Sequence, residues 1–214
     1  MKKFTAIVCA LALVAFAAQS QAATKWSAGV KGGVNMADLS GDDVENTSMK
    51  TGFMGGAFAE AGFTEDFGLR IEGLYVMKGA EVDSSGTTGT LKADYIEFPV
   101  LFVAKFPAGE KLKLSIFAGP TFGFNINAES ESQGVTVDYS DDTKSFEFGA
   151  AIGAGGEIMM SSFSIVFDAR YSLGATTIAE SYEDNNITYE PDIKTNGIGI
   201  MAGLSFPLGG GSSE

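Results

Sequence analysis

The 214-residue sequence predicts an all-β fold: an eight-stranded antiparallel up-and-down transmembrane β-barrel with short periplasmic turns and long extracellular loops. Three observations predict it. Apolar residues alternate with period two in one segment after another. The connections between those segments alternate between short and long. One parity of the alternation is bulky and uncharged in its central stretches, and the other is rich in glycine and balanced charge.

The N-terminus stands apart from this pattern. Lys2 and Lys3 form a short positive region, and Phe4 to Ala18 is an apolar run too short for a spanning helix. Ser20 and Ala22 supply small residues at the spacing of a cleavage site, so residues 1–22 read as a signal peptide cleaved after Ala22. The address implies export. Cys9 lies inside the discarded segment.

Composition narrows the function classes. There is no histidine, which removes imidazole catalysis and imidazole metal ligands. A single cysteine excludes both a disulfide scaffold and a thiolate zinc site. The formal charge of −13 repels a phosphate backbone, so nucleic acid is not an expected partner. No later stretch approaches the roughly 18 apolar residues of a spanning helix.

The expected strands are 25–35, 51–63, 68–79, 94–106, 112–127, 145–158, 163–174 and 195–208. Most are longer than the usual five or six residues of a globular strand. They reach the roughly 9–11 residues that a tilted strand needs to cross a bilayer. Residues 64–67, 107–111 and 159–162 are expected as short turns. Residues 36–50, 80–93, 128–144 and 175–194 are expected as long loops. A soluble sandwich has no reason to sort its connections by length. Without a linker or a second composition regime, 23–208 reads as one barrel domain and 209–214 as a short flexible tail.

Volume decides which face is outside. The bulky parity carries rings and branched chains such as Phe53, Ile71, Phe98, Phe102, Ile116, Phe124, Ile152, Phe167 and Ile200. An eight-stranded barrel is only just wide enough for its inner side chains to fill it, so these must face lipid. The other parity holds glycines such as Gly29, Gly33, Gly153, Gly199 and Gly203, which suit a narrow interior. It also holds Lys31, Arg70, Lys78, Lys105, Lys113 and Arg170 against Glu60, Glu72, Glu97, Glu147, Glu157 and Asp168. Buried charges must be paired, so these residues are expected to form an interior charge network of structural role. Glu60 is expected to meet Arg70, Glu157 to lie near Lys113 and Lys105, and Asp168 to pair with Arg170. Trp26, Phe63, Phe67, Phe106, Phe163 and Phe206 share the lipid parity at the turn-side ends of strands. They are expected to form an aromatic girdle at headgroup level.

The expected long loops hold most of the remaining acid: Asp38, Asp42, Asp43 and Glu45; Glu81 and Asp83; Glu129, Glu131, Asp138, Asp141 and Asp142; Glu180, Glu183, Asp184, Glu190 and Asp192. Lys50, Lys92, Lys144 and Lys194 stand against them. A solvated, repulsive rim is the simplest meaning of such a charge run. No stretch fits a calcium-binding loop, and neither a metal nor a cofactor is expected. Gly153-Ala154-Gly155 lacks the following helix of a dinucleotide fingerprint and reads as barrel-interior glycine.

These residues carry a family resemblance. Gly29-Val30-Lys31-Gly32-Gly33-Val34-Asn35, Ile71-Glu72-Gly73-Leu74-Tyr75 with Lys78-Gly79, and Asp94-Tyr95-Ile96-Glu97-Phe98-Pro99-Val100-Leu101 occur in order. Ala118-Gly119-Pro120, Phe148-Gly149 and Ala169-Arg170-Tyr171 follow. The chain resembles the porin-like outer-membrane β-barrel family that includes PorT-type proteins. It is more distantly similar to the OmpX, Ail and OmpA transmembrane barrels. The resemblance covers essentially the whole mature chain. It implies an outer-membrane location, a coat of outer-membrane lipid and insertion by the barrel-assembly machinery. It implies no single shared activity.

The function expected is that of a non-enzymatic barrel, monomeric, with a side-chain-filled interior. Its acidic loops would serve envelope structure or contact with an extracellular or envelope partner. Lipid-modifying barrels usually rely on histidine, which this chain lacks. The alternative is a narrow ion or small-solute channel. A secreted soluble carrier of an apolar ligand is the remaining reading, and it would need no detergent for extraction.

Overall fold

The structure, a computed structural model, describes residues 25–44, 47–84, 87–132, 134–184, 187–189 and 191–208. The expected signal peptide and the tail at 209–214 lie outside the described residues, as do Glu45 and Glu190. Among the described residues no helix is long and apolar enough to cross a membrane, which leaves crossing by strands open.

The strands are β1 (Lys25–Ser40), β2 (Thr47–Gly62), β3 (Phe67–Ser84), β4 (Thr87–Pro107), β5 (Leu112–Ser132), β6 (Val135–Asp138), β7 (Phe146–Met159), β8 (Ser164–Gly174), β9 (Tyr182–Asp184), β10 (Ile187–Tyr189) and β11 (Lys194–Leu208). Eight of them close the barrel in the order β4-β3-β2-β1-β11-β8-β7-β5, with β5 returning to β4. Every neighbouring pair in the wall is antiparallel. The seam joins the first and last strands, from Trp26 opposite Leu208 to Ser40 opposite Lys194. Closure pairs each of these eight wall strands on both sides, which is the condition for placing sheet in hydrocarbon.

The eight expected strands are the eight of the wall, but their bounds move at one end. β6 extends the wall beside the far end of β5, β9 and β10 form a separate hairpin, and a short 3-10 turn covers Ser140–Asp142. Much of what the sequence suggested as long loop is therefore ladder. The β3–β4 pairing runs up to Ser84 opposite Thr87, and β4–β5 runs up to Gly89 opposite Ser132. At about 3.3 Å per residue, the 21 residues of β5 trace roughly 70 Å, far more than a tilted crossing of a roughly 30 Å hydrocarbon layer requires. Above that layer the outer face no longer has to be apolar, so the alternation that marks a strand fades while the hydrogen bonding continues. Lys50 is corrected by the same finding. It lies in β2, points inward and is buried, and is not a base of the rim.

The outward parity is the bulky one. Val30, Ile116 and Ile152 are 57%, 55% and 62% exposed, and Phe53, Phe98, Phe102, Phe124 and Phe167 share that face. Trp26, Phe67, Phe106 and Phe206 are exposed near the turn-side rim. Phe163, in the turn before β8, packs its ring 6.3 Å from that of Phe206, and Phe63 sits in the turn after β2. The inward parity is not only small or polar, as the alternation suggested. Phe58, Phe117, Tyr95, Met54 and Met201 are buried within the cylinder. Glycine makes the room for them. A Cβ on Gly153 would sit 2.5 Å from the Phe117 ring and 2.4 Å from the Ala169 carbonyl oxygen.

Ile152 lies mid-strand on the outward face. Ile152→Arg is expected to destabilise the barrel by about 2–4 kcal/mol, because its charge would face the bilayer midplane. Urea unfolding in phospholipid vesicles measures it; a neutral effect would place this face away from lipid.

Candidate functional site

The lumen concentrates the chemistry of this chain. Inward positions recur every second residue along a strand, so each strand delivers its charges at fixed heights. β1 supplies Lys31; β2, Lys50 and Glu60; β3, Arg70, Glu72 and Lys78; β4, Glu97 and Lys105. β5 supplies Lys113; β7, Glu147 and Glu157; β8, Asp168 and Arg170.

They assemble in three levels. Nearest the short turns, Arg70 meets Glu60 at 2.8 Å and Lys105 bridges Glu60 at 2.7 Å and Glu157 at 3.3 Å. Lys113 lies opposite Glu157 in the β5–β7 register, but among the described residues it enters no ion pair. At the central level Lys31 reaches Glu72 at 2.7 Å and Asp168 at 2.8 Å. Arg170 completes a ring of alternating charge. Its Nη1 and Nη2 donate to the two oxygens of Glu72 at 2.7 and 3.2 Å, and its Nε and Nη2 to Asp168 Oδ1 at 3.2 and 3.1 Å. The fork of a guanidinium matches a carboxylate in this way, and such charge-assisted bonds are the strong ones. Nearest the long connections, Lys78 bridges Glu97 and Glu147 at 3.0 Å each. Thr195 donates its hydroxyl to Glu147, and Lys50 donates to the Lys78 carbonyl at 3.1 Å.

Apolar and aromatic groups fill the space between these charges. Met54, Leu74, Val76 and Met201 form a buried cluster on β2, β3 and β11, at heights between Glu72 and Lys78. Leu101, Val103, Phe117 and Ala151 form a second cluster on β4, β5 and β7. The Phe117 ring lies 5.7 Å from the Arg70 guanidinium and 5.3 Å from that of Arg170; Lys78 stands 4.8 Å over Tyr95. A cation over an aromatic face gains attraction without needing water. Two voids along the charged length, one beside Lys31 and Arg70 and one beside Lys78 and Glu97, are about 10 Å³ each, room for a single water molecule. Larger spaces open toward the ends. One of about 310 Å³ opens at the turn end beside Trp26, Lys105 and Lys113, and one of about 220 Å³ at the loop end.

The sequence alone missed Phe58, Phe117, Tyr95, Met54 and Met201 as lumen residues. The usable signal was their parity. Each falls in step with an inward charge on its own strand or across it, and glycines stand against the bulk: a Cβ on Gly29 would meet the Phe58 ring at 2.7 Å, and one on Gly199 the Met54 sulfur at 2.5 Å.

The charges outside the lumen behave differently. Lys92 and Lys194 pair with Glu131 and Asp192 at the loop end, in water. The hydrogen bond from Lys92 holds the Glu131 carboxyl below its usual range, and the Ser140 hydroxyl does the same for Asp138. Among the described residues no cluster of acidic side chains could hold a metal ion.

Removing one member of the central ring would leave a buried charge uncompensated. Lys31→Met is expected to cost about 3–5 kcal/mol by chemical unfolding. Lys31→Met with Glu72→Gln, which removes charge of both signs, is expected to recover part of that loss.

Comparison with known proteins fits this geometry. A family model described as an outer membrane protein beta-barrel domain matches residues 17–180. No curated protein matches the chain. Among solved structures, a major outer membrane protein from Thermus thermophilus aligns over 87% of this chain and 100% of its own, with a TM-score of 0.56 and 13% identity. The outer membrane protein OprG from Pseudomonas aeruginosa aligns over 87% and 98%, with a TM-score of 0.55 and 11% identity. Neisserial surface protein A aligns over 86% and 97%, with a TM-score of 0.50 and 11% identity. At such identities the structural likeness speaks for the fold, and the matched model speaks for descent. With a closed wall, an apolar exterior and an ion-paired interior, the chain belongs to the outer membrane protein beta-barrel domain family and is an eight-stranded barrel of the outer membrane.

Proposed function

We propose that this barrel is a non-enzymatic monomer, closed to steady solute flow, whose acidic loop end contacts an envelope or extracellular partner. The filled lumen carries the reading. Between its ends, three levels of paired charge and two apolar clusters leave voids of about 10 Å³ beside Lys31 and beside Lys78, too small for a hydrated ion. Open porins have about twice as many strands. The buried carboxylates Glu60, Glu72, Glu97, Glu147 and Asp168 are each paired with a lysine or arginine, which favours a structural role over acid–base chemistry. The excess of acid near the long connections favours a partner with basic groups. Export would use residues 1–22 as a cleaved signal peptide, and insertion would use the barrel-assembly machinery.

Planar-bilayer recording of the purified protein tests this reading. The expected result is no stable conductance step. Met54→Gly with Met201→Gly, which hollows the apolar cluster between the central and upper charges, is expected to introduce leak and serves as the positive control. A stable, ion-selective step in the unaltered protein would assign it instead to the class of narrow channels.

A further inference from the structure

The lumen is packed along its charged length, yet it widens at the loop end into a cavity of about 220 Å³. We propose that this cavity is a binding site for a small aromatic ammonium compound. The proposal concerns the mouth and does not depend on whether the lumen conducts.

The cavity follows from the sequence of the inward positions. Deeper in the barrel they carry long charged or aromatic chains. Here the wall carries Ala93 and Ala128, both buried, with Ala179 facing them from the connection above, so short methyl groups line the space and the middle is left unfilled. Gly79 sits in the same wall with a φ of +123°, where a Cβ would lie 2.0 Å from the Leu91 carbonyl oxygen. Leu39, Leu91 and Ile193 supply the remaining apolar surface, and the Tyr139 ring stands at the edge.

The roof is held in place by hydrogen bonds. Ile178 is buried at 8% exposure within a connection that crosses the mouth. Its N–H donates to the Ile193 carbonyl at 2.8 Å, and its carbonyl accepts from the Lys144 N–H at 2.7 Å. The Glu180 N–H donates to the Asp142 carbonyl at 3.0 Å, and the Thr177 hydroxyl to the Pro191 carbonyl at 2.7 Å. A pinned roof over methyl-lined walls is a preformed site, which lowers the ordering cost of binding.

Size and charge select the ligand. An apolar protein cavity of about 150 Å³ accepts benzene, so one ring with a short side arm suits this space. Asp142 and Glu129 line the opening. Lys92 also lines it, but its ammonium is held by Glu131. Asp38, Asp42 and Asp43 add negative charge on the neighbouring β1 end and its connection. A cationic head is therefore favoured over an anionic one of the same shape.

The test uses the full-length protein in lipid nanodiscs, with empty nanodiscs as baseline. The probes are 2-phenylethylamine, 2-phenylethanol and phenylacetate, followed by saturation-transfer NMR and calorimetry. The amine is expected to bind saturably, and phenylacetate more weakly by up to about fivefold, as loss of one exposed charge attraction implies. Ala93→Phe and Ala179→Phe, which place a ring in the cavity from the wall and from the roof, are expected to abolish binding while the unboiled protein keeps its folded gel mobility. Asp142→Asn is expected to narrow the preference for the amine over the alcohol. The proposal is overturned if the unaltered protein binds none of the probes saturably. It is equally overturned if either folded phenylalanine variant binds like the parent, or if phenylacetate binds as tightly as the amine.

Discussion

The constraint on which this structure depends is charge pairing in a space with too little room for ordinary hydration. Lys31, Glu72, Asp168 and Arg170 come from β1, β3 and β8, and they meet inside the barrel with side chains at most 5% exposed. Ions removed from water are costly unless opposite charges and hydrogen bonds replace the lost hydration. The ring supplies both, with each carboxylate receiving two cations and each cation two carboxylates. The contacts fix the heights at which these strands can stand relative to one another. A slip of one residue in any register would turn an inward charge to hydrocarbon and an outward ring into the lumen.

The same constraint explains how glycine and aromatic residues divide the interior. Paired ions leave gaps that only flat or flexible apolar groups can fill, and Phe58, Phe117, Tyr95 and the methionines do so. Their bulk demands close approach by the opposite wall, which is where Gly29, Gly153 and Gly199 stand. Glycine ordinarily weakens a strand. Here the loss is offset because a barrel has no free edge to fray and because the rings lie over the cations. Toward the loop end the charges thin out, alanine replaces the long side chains, and the packing opens.

Much of this was legible in the sequence. Volume alone assigned the exterior, since the rings from Phe53 to Phe206 could not share one lumen, and the balance of bases and acids on the other parity pointed to internal pairing. Two kinds of information were not there to be read. The first is partner choice. Glu60 and Arg70 are close in sequence across a tight turn and could be matched, whereas Lys31 and Asp168 are 137 positions apart and are joined only by barrel closure. The second is strand length. Alternating hydrophobicity reports contact with lipid, so it ends where lipid ends, and the upper ladder of β3, β4 and β5 carries Thr, Ser and charged residues on both faces. The aromatic lumen residues were hidden for a related reason. A phenylalanine looks the same in sequence whether acyl chains or a guanidinium cover it.

The seam between β1 and β11 bears on how such a molecule comes into being. The partners of Lys31 arrive on β3 and β8, and its own strand is locked only when β11, the last of the wall, lies down against it. A sheet short of its final strand would face hydrocarbon with open amides and an unshielded lumen. Stepwise entry, one hairpin after another, meets that penalty unless something else pairs with the open edge. Where nothing else covers that edge, completion of the cylinder is the step that removes the cost of entering the bilayer.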